Sequence, residues 1–328
     1  MTTTLHPNLD PDLNDAAEQM LALIGGESVT LEGIGEFRAK LDAVMDQARA
    51  EIPSNENVRV EEHQFPSLDG DTSLRIRIHR PADQTGPLPC FYHIHGGGMI
   101  IGSVEGEEPQ MAVFVENVNC VVASVDYRLA PEHPHPTPVE DCYAGLRWVV
   151  DNAGSLNIDP SRMAVGGESA GGGLAAGTAL MARDRGGPTV GFQYLVYPMI
   201  DDRNQTPSSR EFAGRWPGWP REMNLLGWQA LLGEEAGGED VSPYAAPARA
   251  TDLSRLPPAY IDVGNLEVFR DEDIEYANRL MQAGVPTEMH VHPGVFHGWE
   301  MFSPEAPVTR RAMELRLRAM RRALWPDS

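Results

Sequence analysis

Met163-Ala-Val-Gly-Gly-Glu-Ser-Ala-Gly-Gly-Gly-Leu174 is the stretch that decides the fold. Its first five residues are apolar or small, as in a short buried strand, and its end opens a helical run containing Leu174, Leu180 and Met181. Between the two, Gly167, Glu168, Ser169, Ala170 and Gly171 spell G-x-S-x-G. A strand that turns sharply into a helix exposes the central hydroxyl and needs glycine on both sides, where a Cβ would clash. The same turn sets the Ala170 N–H at a helix N-terminus, where unpaired donors and the helix dipole favour an oxyanion. Ser169 is the candidate nucleophile and Ala170 a candidate oxyanion donor. Taken alone, the five residues also fit a glycine-rich turn with an ordinary serine cap.

Some 70 residues upstream, His95-Gly96-Gly97-Gly98 follows the apolar run Cys90 to His95. Three consecutive glycines let backbone N–H groups approach a substrate unobstructed, so Gly96 and Gly97 are expected to join Ala170 as oxyanion donors. In this arrangement the acid and then the histidine follow the nucleophile in the chain. Of ten histidines, His297 is the best placed, in a loop with Pro293, Gly294 and Gly298 after the strand-like Thr287 to His292. His290 and His292 read as strand residues, His133 and His135 as loop residues beside prolines, and none has metal-ligand company. Glu267 is the first carboxylate after the strand-like Tyr260 to Gly264, 30 positions before His297, and is the candidate acid. Asp271, which reads as the N-cap of the next helix, and Asp262, inside the strand, remain open alternatives.

Working outward, Cys120 to Asp126 and Phe192 to Tyr197 are further short apolar runs, most of them separated by helix-like stretches. That predicts an α/β fold with a mostly parallel central sheet covered by helices on both faces. Edge strands come first: Leu74, Ile76 and Ile78 alternate with Arg75, Arg77 and His79 as in a half-exposed strand. Before any strand, Asp10 and Pro11 start a helix carrying Leu13, Ala16, Ala17, Met20, Leu21 and Ile24, which Gly25 and Gly26 stop. Phe37, Leu41, Val44 and Ala48 stripe a second helix. Between Asp201 and Gly238 regularity fails and Trp216, Pro217, Gly218, Trp219 and Pro220 crowd together, so Trp216 and Trp219 are candidate pocket residues. The expected layout is one catalytic domain over residues 1–328, with a helical cap from about 1–55 and 201–238. The arginines of Ala306 to Leu324 (310, 311, 316, 318, 321 and 322) are expected on a solvated helical face.

A net charge of −22 and a pI near 4.8 repel polyanions, which excludes nucleic acid and an anionic membrane surface as expected partners and favours a neutral small-molecule substrate. No run approaches the ~18 apolar residues of a membrane span and the N-terminus has no secretory pattern, so a cytoplasmic protein is expected. Cys90, Cys120 and Cys142, an odd set inside or beside apolar runs, read as reduced core thiols.

On these motifs the chain resembles the bacterial hormone-sensitive-lipase-like esterases of the α/β-hydrolase superfamily, of acetyl esterase and heroin esterase type. The resemblance runs from about Val58 to the C-terminus and rests on HGGG at His95 to Gly98, DYRLAPE at Asp126 to Glu132, GESAGGGLA at Gly167 to Ala175, FRDED at Phe269 to Asp273 and FHGW at Phe296 to Trp299. It implies an α/β-hydrolase fold with a cap from the two regions named above, no metal or organic cofactor, and, from dimeric relatives, a homodimer. One departure stands out. Glu267-Val268-Phe269-Arg270 occupies the place where the family usually has Asp-Pro-Leu-Arg, so glutamate stands where aspartate is expected.

The resulting expectation is hydrolysis of neutral short- to medium-chain carboxylic esters through an acyl-enzyme. Activity should climb above neutral pH and fall below it, because the base works only as neutral imidazole. An amide hydrolase with the same triad and a non-catalytic ligand-binding relative, as among plant gibberellin receptors, are the rival readings.

Overall fold

The computed structural model describes residues 5–24, 29–50, 52 and 55–326. β1 (Val58–Pro66) and β2 (Ser73–Pro81) pair antiparallel, and β2 runs antiparallel to β4 (Val121–Asp126). From there the sheet is parallel through β3 (Leu88–Ile94), β5 (Ile158–Glu168), β6 (Phe192–Val196), β7 (Ala259–Gly264) and β8 (Thr287–His292), in the order β1-β2-β4-β3-β5-β6-β7-β8. The predicted runs become these strands with ends shifted by a few residues. β3, β4, β6 and β7 are short and buried on both sides, as parallel strands under two helical layers are, while β8 at the edge is mostly half-buried.

The helices are α1 (Asn14–Ile24), α2 (Ile34–Ala50), α3 (Glu108–Val118), α4 (Thr137–Asp151), α5 (Ala170–Arg185), α6 (Pro207–Glu211), α7 (Arg221–Leu232), α8 (Arg270–Gln282) and α9 (Pro307–Leu324). α3 packs with α9 and α4 with α5, while α8 lies against β7 and β8. α5 carries no polar stripe: every residue from Ala170 to Ala182 is buried, and its small side chains bring its backbone close to β3, β5 and β6. The chain order reverses around β3, which sits between β4 and β5. Loops leaving the carboxyl ends of strands at such a reversal diverge and open a crevice. Ile94 pairs with Gly167, so the loops after β3 and β5 start side by side at that crevice.

Three readings are corrected. β2 is not an edge strand: β1 covers its outer side, and His79 is fully buried where alternation placed it outward. α2 buries Ile34 and half-buries Phe37 and Leu41, but its far end stands off the body and leaves Val44 and Ala48 exposed. Arg316 of α9 is buried, for reasons given below. Asp10 does cap the first turn, accepting from the Asp12 N–H at 3.0 Å, and Leu13, Ala16, Ala17, Met20 and Leu21 are buried behind it. The helix stop expected at Gly25 and Gly26 lies outside the described residues.

All three cysteines are free and buried; burial pushes the Cys90 thiol up to about 12 and raises the other two as well. Among the described residues no helix is long and apolar enough to cross a membrane, and no group of side chains has metal-ligand geometry.

Candidate active site

Ser169 sits at the tip of the turn from β5 into α5 with φ 58° and ψ −120°, a conformation that L-residues avoid unless their surroundings enforce it. The enforcement is close packing. A Cβ on Gly171 would lie 1.9 Å from the Ile94 carbonyl oxygen, so glycine there is what lets the helix start against β3. The Ser169 N–H donates to the Val196 carbonyl and the Met199 N–H to the Ser169 carbonyl, both at 2.9 Å, which ties the turn to the end of β6.

His297 and Glu267 reach this turn from two other strand ends. His297 Nε2 is 3.0 Å from Ser169 Oγ, and His297 Nδ1 is 2.5 Å from Glu267 Oε2. The other Glu267 oxygen accepts from the Gly264 N–H at 2.6 Å. Ser169 and His297 keep 6% and 8% of their surface exposed, enough for a small group to approach, whereas Glu267 is fully enclosed. Burial pushes the Glu267 carboxyl up and the adjacent imidazole pulls it back, so its charge depends on His297. The two loops are knit together: the Leu266 N–H donates to the Val295 carbonyl at 3.0 Å, and the Gly294 N–H to Asn265 Oδ1 at 2.7 Å.

Gly96 and Gly97 lie beside this turn; a Cβ on Gly96 would be 2.9 Å from the Glu168 carbonyl oxygen. Gly97 has φ +110°, and a Cβ there would strike the Ile101 carbonyl at 2.2 Å. Among the described residues, none accepts from the N–H of Gly96, Gly97 or Ala170. Three donors free of partners around one serine can hold negative charge on an oxygen.

A family model described as the alpha/beta hydrolase fold matches residues 91–301. The chain belongs to the α/β-hydrolase family. The resemblance of its motifs to the hormone-sensitive-lipase-like branch stands. A carboxylesterase, NlhH, of Mycobacterium tuberculosis is 35% identical over 320 residues, covering 96% of this chain and 97% of its own. Esterase LipI of the same organism is 32% identical over 95% of this chain and 98% of its own. A solved bacterial heroin esterase is 44% identical, covers 98% of this chain and 99% of its own, and superposes with a TM-score of 0.91.

The alternative acids of this α/β hydrolase are occupied elsewhere. Asp271 is not the N-cap of α8 but lies inside its first turn, where it pairs with Arg270 and accepts from the Ser208 N–H at 2.8 Å, holding the start of α6. Asp262 points into the body, where Arg316 donates to both its oxygens, at 2.7 and 3.1 Å, and Tyr260 donates to one at 2.8 Å. Burial opposes its charge, but Arg316 outweighs that and holds the carboxyl well below the usual range.

Several residues around His297 escaped sequence reasoning. Its ring meets Tyr197 edge-on at 4.4 Å between centroids and Phe269 at 5.1 Å. The Tyr197 hydroxyl donates to Glu300 Oε1 at 2.7 Å, which also accepts from Arg316 at 2.7 Å. Arg316 thus pairs with two buried carboxylates from inside the core. A signal existed: Ala312, Arg316 and Met320 recur at i, i+4 on the apolar side of α9. Trp216 is half-buried with its Nε1–H on the Leu266 carbonyl at 3.1 Å; Trp219 is buried, with Nε1–H on Asn224 Oδ1 at 3.3 Å.

Proposed function

We propose that this serine carboxylesterase hydrolyses neutral short- to medium-chain esters with Ser169 as nucleophile, His297 as general base and Glu267 as the acid that orients it. The observation that carries the reading is the unbroken chain from Ser169 Oγ through His297 to Glu267, at 3.0 and 2.5 Å. His297 Nε2 takes the Ser169 proton as Oγ attacks the ester carbonyl, and the new oxyanion is held by the N–H groups of Gly96, Gly97 and Ala170. His297 then gives the proton to the leaving alkoxide, and the alcohol departs from an acyl-Ser169. Water, deprotonated by the same nitrogen, attacks the acyl carbon, and the collapse of the second tetrahedral species returns the proton to Ser169 and releases the acid.

Glutamate replaces the usual aspartate without loss of reach, because Glu267 lies at the end of a tight loop whose Gly264 N–H grips its second oxygen. The enclosed site and the absence of a cationic side chain among those placed around Ser169 suit an uncharged ester. Residues of about 1–55 and 201–238 form the cap in this reading, with Trp216 and Trp219 as walls of the pocket.

Initial rates on p-nitrophenyl esters from acetate to laurate, for wild type and Ser169→Ala, test the proposal. Rates that peak at short to medium acyl chains and vanish in the variant are expected. Activity that survives the substitution would sink it, and a peak at laurate would remove the chain-length part.

A further inference from the structure

The segment richest in tryptophan, proline and glycine forms a closed loop: the Arg221 N–H donates to the Phe212 carbonyl at 3.0 Å. That loop touches three of the four segments that carry the site, all but the Ser169 turn. Trp216 Nε1–H donates to the carbonyl of Leu266, the residue before Glu267, at 3.1 Å. Gly218, with φ +83°, lies so tightly on the histidine loop that a Cβ would sit 2.3 Å from the His297 carbonyl oxygen. The six-membered ring of Trp219 covers the third glycine of the oxyanion loop, where a Cβ on Gly98 would be 2.2 Å from Trp219 Cζ2.

The loop is itself braced from below. Trp219 is held by Asn224, whose amide donates to Asn204 Oδ1 at 2.5 Å, and Arg221 donates to the Asn204 and Ser209 carbonyls at 2.5 and 3.1 Å. The reacting groups come from the ends of three different strands, and no single strand fixes the distance between them. Acyl transfer needs those distances held to a fraction of an ångström.

We propose that the loop 212–221 sets the relative position of the acid, the histidine and the oxyanion donors, with Trp216 and Gly218 as its positioning residues. This rests on the reading of Ser169, His297 and Glu267 given above. It follows that this part of the cap does not swing away as a lid during turnover, because leaving would release Glu267, His297 and Gly98 together. Its side chains act on turnover more than on affinity.

Gly218→Ala and Trp216→Phe separate the two. The first forces the His297 backbone aside; the second keeps a ring in place and deletes only the donor to Leu266. With p-nitrophenyl acetate, Gly218→Ala is expected to lower kcat by about 100-fold and Trp216→Phe by about 5- to 10-fold, with KM within about threefold of wild type, since displacement near 1 Å costs on that order. The rate of Ser169 phosphorylation by diethyl p-nitrophenyl phosphate should fall in parallel, while circular dichroism stays native. If Gly218→Ala does not fold, Trp216→Phe carries the same test. Variants that keep kcat within twofold, or change only KM, would make the loop a pocket wall and nothing more, and overturn the proposal. Failure of the underlying reading looks different: wild-type activity that persists after Ser169→Ala.

Discussion

At the scale of single residues, the proposed acid position is where this chain parts from its family pattern and where its chemistry is most exposed to test. Glu267 is fully buried with both oxygens engaged, one on the Gly264 N–H and one on His297. Glu267→Gln keeps the shape but removes the charge that stabilises imidazolium and fixes its tautomer; kcat should fall by about 10³- to 10⁴-fold, on the order seen for such changes in other triads. Glu267→Asp withdraws the oxygen by about 1.5 Å, one methylene step, and should cost about 10- to 100-fold. Asp271→Asn touches the start of α6 and the pair with Arg270 but not His297, so its kcat should stay within about threefold while stability drops by about 1 kcal/mol, the usual worth of a helix-start contact. Steady-state kinetics and urea melts on the three variants decide between carboxylates; a collapse of kcat in Asp271→Asn alone would move the acid there.

Among the elements, α9 shows how far a sequence can be read and where reading stops. The elbow around Ser169 and the HGGG loop were legible because their constraints are local: a Cβ clash, a loop length, a strand end; the proposed acid and histidine came from the chain order expected of the fold. The family matched to residues 91–301 agrees with that reading of the fold. Arg316 was misread because the rule that charge faces solvent holds on average and fails where the core supplies countercharge. Asp262 on β7 and Glu300 after β8 are 54 and 16 positions away in sequence, so nothing local announced them. His79 was misread for a similar reason: alternation along β2 could not reveal that the strand lies inside the sheet, between β1 and β4. The consequence for α9 is quantitative. Arg316→Met leaves Asp262 and Glu300 buried without their guanidinium, with Tyr260, His292 and Tyr197 beside them, and should cost about 3–5 kcal/mol of stability. Arg318→Ala, on the exposed side of the same helix and 3.4 Å from Glu288, should cost about 0.5 kcal/mol or less. Denaturant midpoints of the two variants measure the difference, and equal small losses would mean that Asp262 and Glu300 find other partners.

The whole molecule combines a net charge of −22 with buried groups that titrate in opposite directions. Burial pushes His79 and His95 down to about 4, so both are neutral in the folded protein near neutrality. In the unfolded chain they take up protons near pH 6.5. As pH falls from about 6.5 toward 4, the unfolded state therefore binds more protons than the folded one, and stability is lost across that window. Glu107 works the other way. Burial raises its carboxyl to about 7, so the stability its protonated form contributes is complete below about 4.5, the carboxyl value of the unfolded chain, and is lost as pH rises through 7. Glu272 and Asp273, both buried and raised, add to that loss from the carboxyl value of the unfolded chain upward, and on the alkaline side the growing negative charge of the whole surface adds self-repulsion. The two windows overlap between about pH 4.5 and 6.5, where the opposed slopes offset one another. Thermal melts at matched ionic strength from pH 4.5 to 9 should show stability falling through pH 7 toward the alkaline side. His79→Phe should make stability fall more steeply with rising pH between about 4.5 and 6.5, by up to one proton, because it removes one of the two imidazoles that charge only on unfolding. A slope unchanged in that variant would mean that His79 is already protonated in the fold, with one of its ring nitrogens donating to a group inside the sheet.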